Sequence, residues 1–293
     1  MPPGFEKYLH AFNLVDGMSY VPLRRIFLRF RDFRAAWTEG RVDQFVESGV
    51  SRDLAEKIVA ARAVFDADRE YARLWDADIR LITRGNVEYP ALLSQIHDPP
   101  FSLYRKGKTF GSSPHVAVVG TRMPSFYGQT MAHEISGKIA ACGGVIVSGL
   151  AFGIDAIAHR AAVKAGVQTV AVLASGIGKI TPSSHARLAD EILASGGTII
   201  SEYANDEVSY KGRFLERNRI ISGLCAATIV IEAKEKSGAL ITARHAFEQD
   251  RDVYALVGDI TRPQAQGCLN LIRDDAARPV TGIAKLLEDL GLD

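Results

Sequence analysis

Between Val116 and Gly258 the chain repeats one pattern: a short run of β-branched, apolar residues, then a segment long enough for a helix. The runs are VAVVG (116–120), VIVSG (145–149), TVAVLA (169–174), TIISE (198–202), ATIVIEA (227–233) and VYALVG (253–258). They do not alternate apolar with polar. A strand with one wet face alternates, and a strand buried on both faces does not, so these runs call for a parallel sheet covered by helices. The expected fold is a doubly wound, mostly parallel, Rossmann-like α/β sheet, with all strand C-termini on one edge. Ligands of such sheets bind beyond that edge.

The first 80 residues differ in kind. Leu23, Ile26, Phe27 and Phe30 follow i, i+3, i+4, i+7 spacing, which makes one apolar helix face. Ser51 stands as N-cap before DLAEKIVAARAVF, and a further helix is expected near 66–76. A short strand follows in DIRLITRG (78–85). Residues 86–111 then carry Pro90, Pro99, Pro100 and a strand-like Phe101–Tyr104, and read as a rigid connector. The expected division is a small helical domain, 1–80, and a Rossmann-like domain, 81–293, with the connector packed on the latter. Arg24, Arg25, Arg29, Arg31 and Arg34 either form a basic patch or, the favoured reading, are solvated helix faces with packed stems.

Chemistry is expected in the turns at the strand C-termini. Gly120-Thr121-Arg122 follows the first run, Ser148-Gly149-Leu150-Ala151-Phe152-Gly153 the second, and Lys236-Ser237-Gly238 the fifth. Each leads into a helix. Small residues admit a ligand to the backbone, and free amides at a helix N-terminus favour an anion. Arg217, Asn218 and Arg219 follow the fourth run and are expected to face the same edge. Arginine forks hold phosphate oxygens at two points.

Other chemistries fit less well. Gly149-x-x-x-Gly153 and Gly176-x-Gly178 are not GxGxxG, and Gly178-Lys179-Ile180-Thr181 does not end a P-loop. Asp155 and His159 share a helix face at i, i+4 and could mimic a catalytic pair, but a capping carboxylate and a packed histidine are the favoured reading. Glu202 and Glu232 end strands at the edge, but no nucleophile with an orienting partner and no metal-ligand spacing accompanies them. Neither a cofactor nor a metal is expected. Three dispersed cysteines, the lack of a long apolar run and the lack of a signal-peptide core point to a cytoplasmic protein away from membranes. A net charge of +1 confines any nucleic-acid contact to a local patch.

These residues resemble the DprA/Smf family of DNA-processing proteins. The likeness lies in Tyr89-Pro90-Ala91-Leu92-Leu93 with Asp98-Pro99-Pro100, VAVVGTR with Tyr127-Gly128, and IVSGLAFGIDAIAH (146–159). It continues in AVLASGI with Pro182, IISE, RNRIISGL (217–224) and VIEAKEKSGALITARHAFEQDRDVYAL. LVDGMSYVPLRRIFLRF is similar to the family's SAM-like helical domain. The resemblance implies a protein that binds single-stranded DNA without catalytic turnover, usually as a homodimer. Such a protein protects incoming strands and hands them to the recombinase RecA during natural transformation. It further implies that Arg122 and the Ser148-Gly149 turn grip phosphates, extended by Arg217, Asn218, Arg219, Lys236, Ser237 and Gly238. Lys179 would compensate for an altered loop, Thr181-Pro182-Ser183-Ser184-His185. The winged-helix-like domain that many relatives carry is not visible in the C-terminal sequence. Two other readings fit a related fold: a nucleotide sensor, and a phosphoribohydrolase-like enzyme using Glu202 or Glu232, whose PGGxGTxxE loop this chain lacks.

Overall fold

A computed structural model describes residues 4–204 and 207–292, so the outermost ends of the two expected domains, 1–3 and 293, lie outside the described residues. Two compact units emerge. The first runs to Val87 and regains Pro100–Tyr104; the second holds Glu88–Pro99 and Arg105 onward. The expected boundary lay near 80, with the whole connector in the larger domain.

The first unit contains α1 (Glu6–Asn13), α2 (Tyr20–Phe30), α3 (Phe33–Glu39), α4 (Val42–Glu47), α5 (Arg52–Val64), α6 (Ala67–Asp76) and strand β1 (Arg80–Thr83). Its core is aromatic. Phe12 packs against Phe33, Trp37 and Phe45, with ring centroids 5.0–6.4 Å apart. The Ser51 hydroxyl caps α5 by accepting from the Leu54 amide, as the sequence predicts. Phe101 explains why 100–104 belongs here: its ring lies 5.4–5.7 Å from those of Tyr20, Phe27 and Phe33. The Tyr104 hydroxyl also meets His10 Nδ1 at 2.8 Å and accepts from Asn13 Nδ2 at 3.0 Å. Burial pulls the His10 pKa down to about 4, so this polar core is neutral at physiological pH.

The second unit begins with α7 (Ala91–Ser94). Strand β2 (Ser102–Gly107) starts in the first unit and ends in the second. Then follow β3 (His115–Val119), α8 (Phe126–Ala141), β4 (Val145–Ser148), α9 (Ile154–Lys164), β5 (Thr169–Leu173), a 3-10 turn (Ser183–His185) and α10 (Ala186–Ala194). The remaining elements are β6 (Thr198–Ser201), α11 (Lys211–Gly223), β7 (Ala227–Val230), α12 (Gly238–Glu248), β8 (Asp252–Leu256), α13 (Pro263–Arg273), β9 (Arg278–Val280) and α14 (Ile283–Asp289).

All six apolar runs are strands. Together with β9 they pair in parallel, in the order β6-β5-β4-β3-β7-β8-β9. Strands β3 to β6 step away to one side and β7 to β9 to the other. The order therefore reverses between β3 and β7, where a doubly wound sheet opens its crevice. Every residue of β4, β5, β6 and β7 is buried. Val116 and Val118, Ile146 and Ile229 pack with Ile135 and Ile139 of α8 and Ala158 of α9. Fully burying each large aliphatic side chain stabilises the fold by about 1.5–3 kcal/mol, so this layer fixes where the loops beyond it start. Among the described residues, no helix is long and apolar enough to cross a membrane.

Candidate functional site

A cleft of about 230 Å³ opens beyond the strand ends at the reversal point. Val119, Gly120 and Arg122 line it from β3 and its loop, and Ala151 and Asp155 from the turn after β4. Phe214, Leu215, Arg217, Asn218 and Ile221 of α11 form one wall, and Ser237, Gly238, Ala239 and Thr242 at the start of α12 another.

The helices α8, α9 and α12 begin at this edge, and the first two already hold an internal carboxylate. At α9, Asp155 accepts from the amides of Gly149 (3.1 Å) and Ala151 (3.4 Å). At α8, Glu232 accepts from the Ser125 amide (2.8 Å) and hydroxyl (2.6 Å). The amides of the Ser148–Gly153 turn, expected to be free, are thus partly spent within the protein. The turn's hydroxyl is spent too, since Ser148 Oγ donates to the Val118 carbonyl at 2.7 Å. Thr121 likewise donates its amide to the Glu232 carbonyl and accepts from the Met123 amide at its hydroxyl.

The N-terminus of α12 is different. No acidic residue lies in its first turn, and Ser237 Oγ caps it by accepting from the Ala239 amide at 3.3 Å. Gly238 is exposed, and a Cβ built there would meet nothing within 4 Å. The helix dipole here faces open space.

Arg217 is buried against the turn after β4. Its Nη1 donates to the carbonyls of Gly149 (2.8 Å) and Val172, and its Nε donates to Asn218 Oδ1 (3.2 Å). A Cβ on Gly149 would stand 2.6 Å from the Arg217 Cζ, so only glycine leaves room for this guanidinium. Gly153 serves a different need: with φ +75° it turns the chain into α9, and a Cβ there would come 2.3 Å from the Thr121 carbonyl. Burial lowers the Arg217 pKa to about 10, against the opposing pull of Asp155, so it stays charged at neutral pH. Burial likewise raises the Asp155 pKa, opposed chiefly by Arg217. Asn218 donates to the Gly238 carbonyl at 3.3 Å, tying α11 to the start of α12.

Arg122 is exposed, with its guanidinium 5.3 Å from the centre of the Phe214 ring; that of Arg217 lies 5.9 Å from the same ring. Phe214 is a site residue to which the sequence assigned no role, although it opens the segment that carries Arg217 and Asn218. Its position three residues before Arg217 on one helix was the available signal, because i and i+3 share a face.

The structure thus brings Gly120, Arg122, Ala151, Arg217, Asn218, Ser237 and Gly238 around one cleft. Arg219 lies elsewhere. Its Nη2 meets both Glu202 oxygens at 2.8 Å and its Nε meets Asp98 at 3.1 Å, all away from the cleft lining. The Arg217–Arg219 cluster lies within α11 rather than ahead of a helix. At about 100° per residue, residues 217 and 219 sit roughly 200° apart and cannot face one cleft. Burial lowers the Arg219 pKa, but Glu202 and Asp98 outweigh it and carry the group above its ordinary value. Lys179, in the loop after β5, and Lys236, before Ser237, are exposed and do not line the cleft.

The carboxylates considered as catalysts are committed elsewhere, Glu202 to Arg219 and Glu232 to Ser125. The Thr169 hydroxyl donates to the Ile146 carbonyl, so it accepts from His159 Nδ1 at 2.8 Å. Burial pulls the His159 pKa down to about 3, which leaves the ring a neutral packing group. No cluster of three potential metal ligands occurs among the described residues. The cleft presents two guanidinium groups, an open helix N-terminus and an aromatic face, which together suit an anion carrying a flat ring.

Comparison with known proteins adds three findings. Residues 80–291 match the family model described as DNA recombination-mediator protein A. Protein Smf of Synechocystis sp. is 36% identical over 291 residues, covering 98% of this chain and 73% of the relative. Two solved structures share the fold. DNA processing protein A of Streptococcus pneumoniae has a TM-score of 0.78 at 31% identity, over 96% of this chain and 97% of that one. DNA processing protein A of Helicobacter pylori, whose structure concerns a single-stranded DNA binding mode, has a TM-score of 0.66 at 29% identity. That match covers 72% of this chain and 95% of the other.

Proposed function

This chain belongs to the DNA recombination-mediator protein A family, and on that premise we propose that it binds single-stranded DNA without catalytic turnover. In this reading it protects incoming strands and assists their loading onto the recombinase RecA in the cytoplasm, acting as a homodimer. One observation carries the binding: the cleft between Arg122, Arg217 and the open N-terminus of α12 joins phosphate-holding groups to the Phe214 ring. Backbone phosphates would meet Arg122, Ser237 and Gly238, and a base would lie on Phe214. Arg217 supplies charge from below while holding the turn after β4. The Ser148, Gly149, Thr121 and Gly153 positions then shape the cleft, and Lys179 and Lys236 act from its margins, while Arg219 stays with Glu202 and Asp98. The family description and the Helicobacter relative's binding mode support the choice of strand over free nucleotide.

Mobility shifts with single- and double-stranded oligonucleotides at several salt concentrations test the proposal. The logarithm of affinity for single strands should fall linearly with log salt, by about 0.7 per phosphate contact. Arg122→Ala should weaken binding and reduce that slope by about 0.7. A salt-independent affinity, or a variant with unchanged slope, overturns the assignment.

A further inference from the structure

A second cavity, of about 420 Å³, opens at the ends of β7 and β8. Phe126, Tyr127, Val257, Glu232, Asp259 and Arg262 are among its lining residues. The aromatic side chains are exposed although they begin a helix: Phe126 is 85% accessible, and Tyr127 is 43%. The Tyr127 hydroxyl donates to the Val257 carbonyl at 3.1 Å, which fixes that ring against the loop after β8. Ile260, in the same loop, is 76% accessible. Apolar groups gathered at the rim of a cavity mark a place that binds something.

The surrounding charge narrows what it binds. Two carboxylates line the cavity, and its lining arginine is already engaged, since Arg262 Nε lies 3.5 Å from Asp259. Asp259 also accepts from the Thr261 amide and hydroxyl at 2.8 and 2.7 Å, which hold it in place. Among the described residues such a lining offers no free cation to a phosphate, while the exposed aromatic side chains offer apolar surface to a flat, uncharged partner. Position supplies the rest. The loop between β3 and α8 runs from one cavity to the other, with Arg122 in the first and, three residues further on, Ser125 and the first α8 residues Phe126 and Tyr127 in the second.

We propose that this cavity is a nucleobase slot, in which a base from the strand held at the Arg122 cleft stacks on Phe126 beside Tyr127. The inference rests on the single-strand reading above and extends it from phosphate holding to base holding. The Glu232 and Asp259 carboxylates turn the strand's phosphates away and so set which part of the nucleotide enters.

Fluorescence anisotropy with a labelled single-stranded oligonucleotide, and with a same-length strand of abasic sites, tests it on the full chain. Phe126 is exposed, so Phe126→Ala can be compared with the unsubstituted chain at equal thermal stability. Stacking on one aromatic ring is worth about 1–3 kcal/mol, so the variant should lose roughly five- to a hundredfold in affinity for the normal strand. The salt slope should stay as it was, abasic-strand affinity should not change, and Phe126→Trp should keep normal binding. Unchanged binding of the normal strand by Phe126→Ala overturns the slot and leaves the patch to a protein partner. An equal loss on the abasic strand also overturns it. If Arg122→Ala leaves the salt slope intact, the underlying single-strand reading fails instead.

Discussion

The starts of α9 and α12 open onto the same cleft and are built in opposite ways. At α9, Asp155 takes the amides of Gly149 and Ala151, and Arg217 presses on the turn from the other side. At α12, a serine caps the first turn and no acid lies within it. The first terminus is neutralised from within, and the second keeps its dipole for a visitor. A glycine-rich turn is therefore not by itself an anion site. Two of the three turns here use their amides to stabilise the scaffold, and the third supplies the binding potential.

The sharpest way to break this contrast is to empty the filled terminus. Asp155→Ala leaves two turn amides without their acceptor and the buried Arg217 without its countercharge. Stability should fall by about 3 kcal/mol in a denaturant titration. A loss below about 1 kcal/mol would mean that the carboxylate does not hold the turn. Glu232→Gln makes the same test at α8 with the shape kept. Losing the charge under Ser125 should cost about 1.5 kcal/mol, measured in the same way. The smallest effect belongs to the open terminus. Gly238→Ala places a methyl group where nothing stands within 4 Å and narrows the freedom of the unfolded chain, so stability should rise by no more than about 1 kcal/mol. Its cost should appear in single-strand affinity, as a loss of about fivefold from crowding the ligand. Full affinity in that variant would show that the strand does not approach α12 closely.

How much of this was legible in the sequence differs by level. The six central strands were, because burial on both faces leaves unbroken β-branched runs. Strand β9 was not: it is three residues, Arg278-Pro279-Val280, and only Val280 is buried. The seating of 100–104 in the helical unit depends on Phe101 meeting rings some 70–80 residues earlier, which no local pattern reveals. Within the site, the turns and Arg122 were legible from their place after strands. The internal use of the amides was only half so, since Asp155 lies in the same motif but Glu232 comes 107 residues after Ser125. The opposed directions of Arg217 and Arg219 follow from helical geometry once α11 is known to begin at Lys211.

The return of Pro100–Tyr104 to the helical unit has a practical corollary for dissecting this protein. A cut near residue 80 does not release two self-sufficient modules. It leaves Phe101 without its aromatic neighbours and the Tyr104 hydroxyl without His10 and Asn13, a sticky scar on whichever fragment keeps them. By the same reasoning, the small unit cannot be inherited or swapped as one continuous cassette. Any exchange between relatives must carry the 100–104 segment along with the first 87 residues.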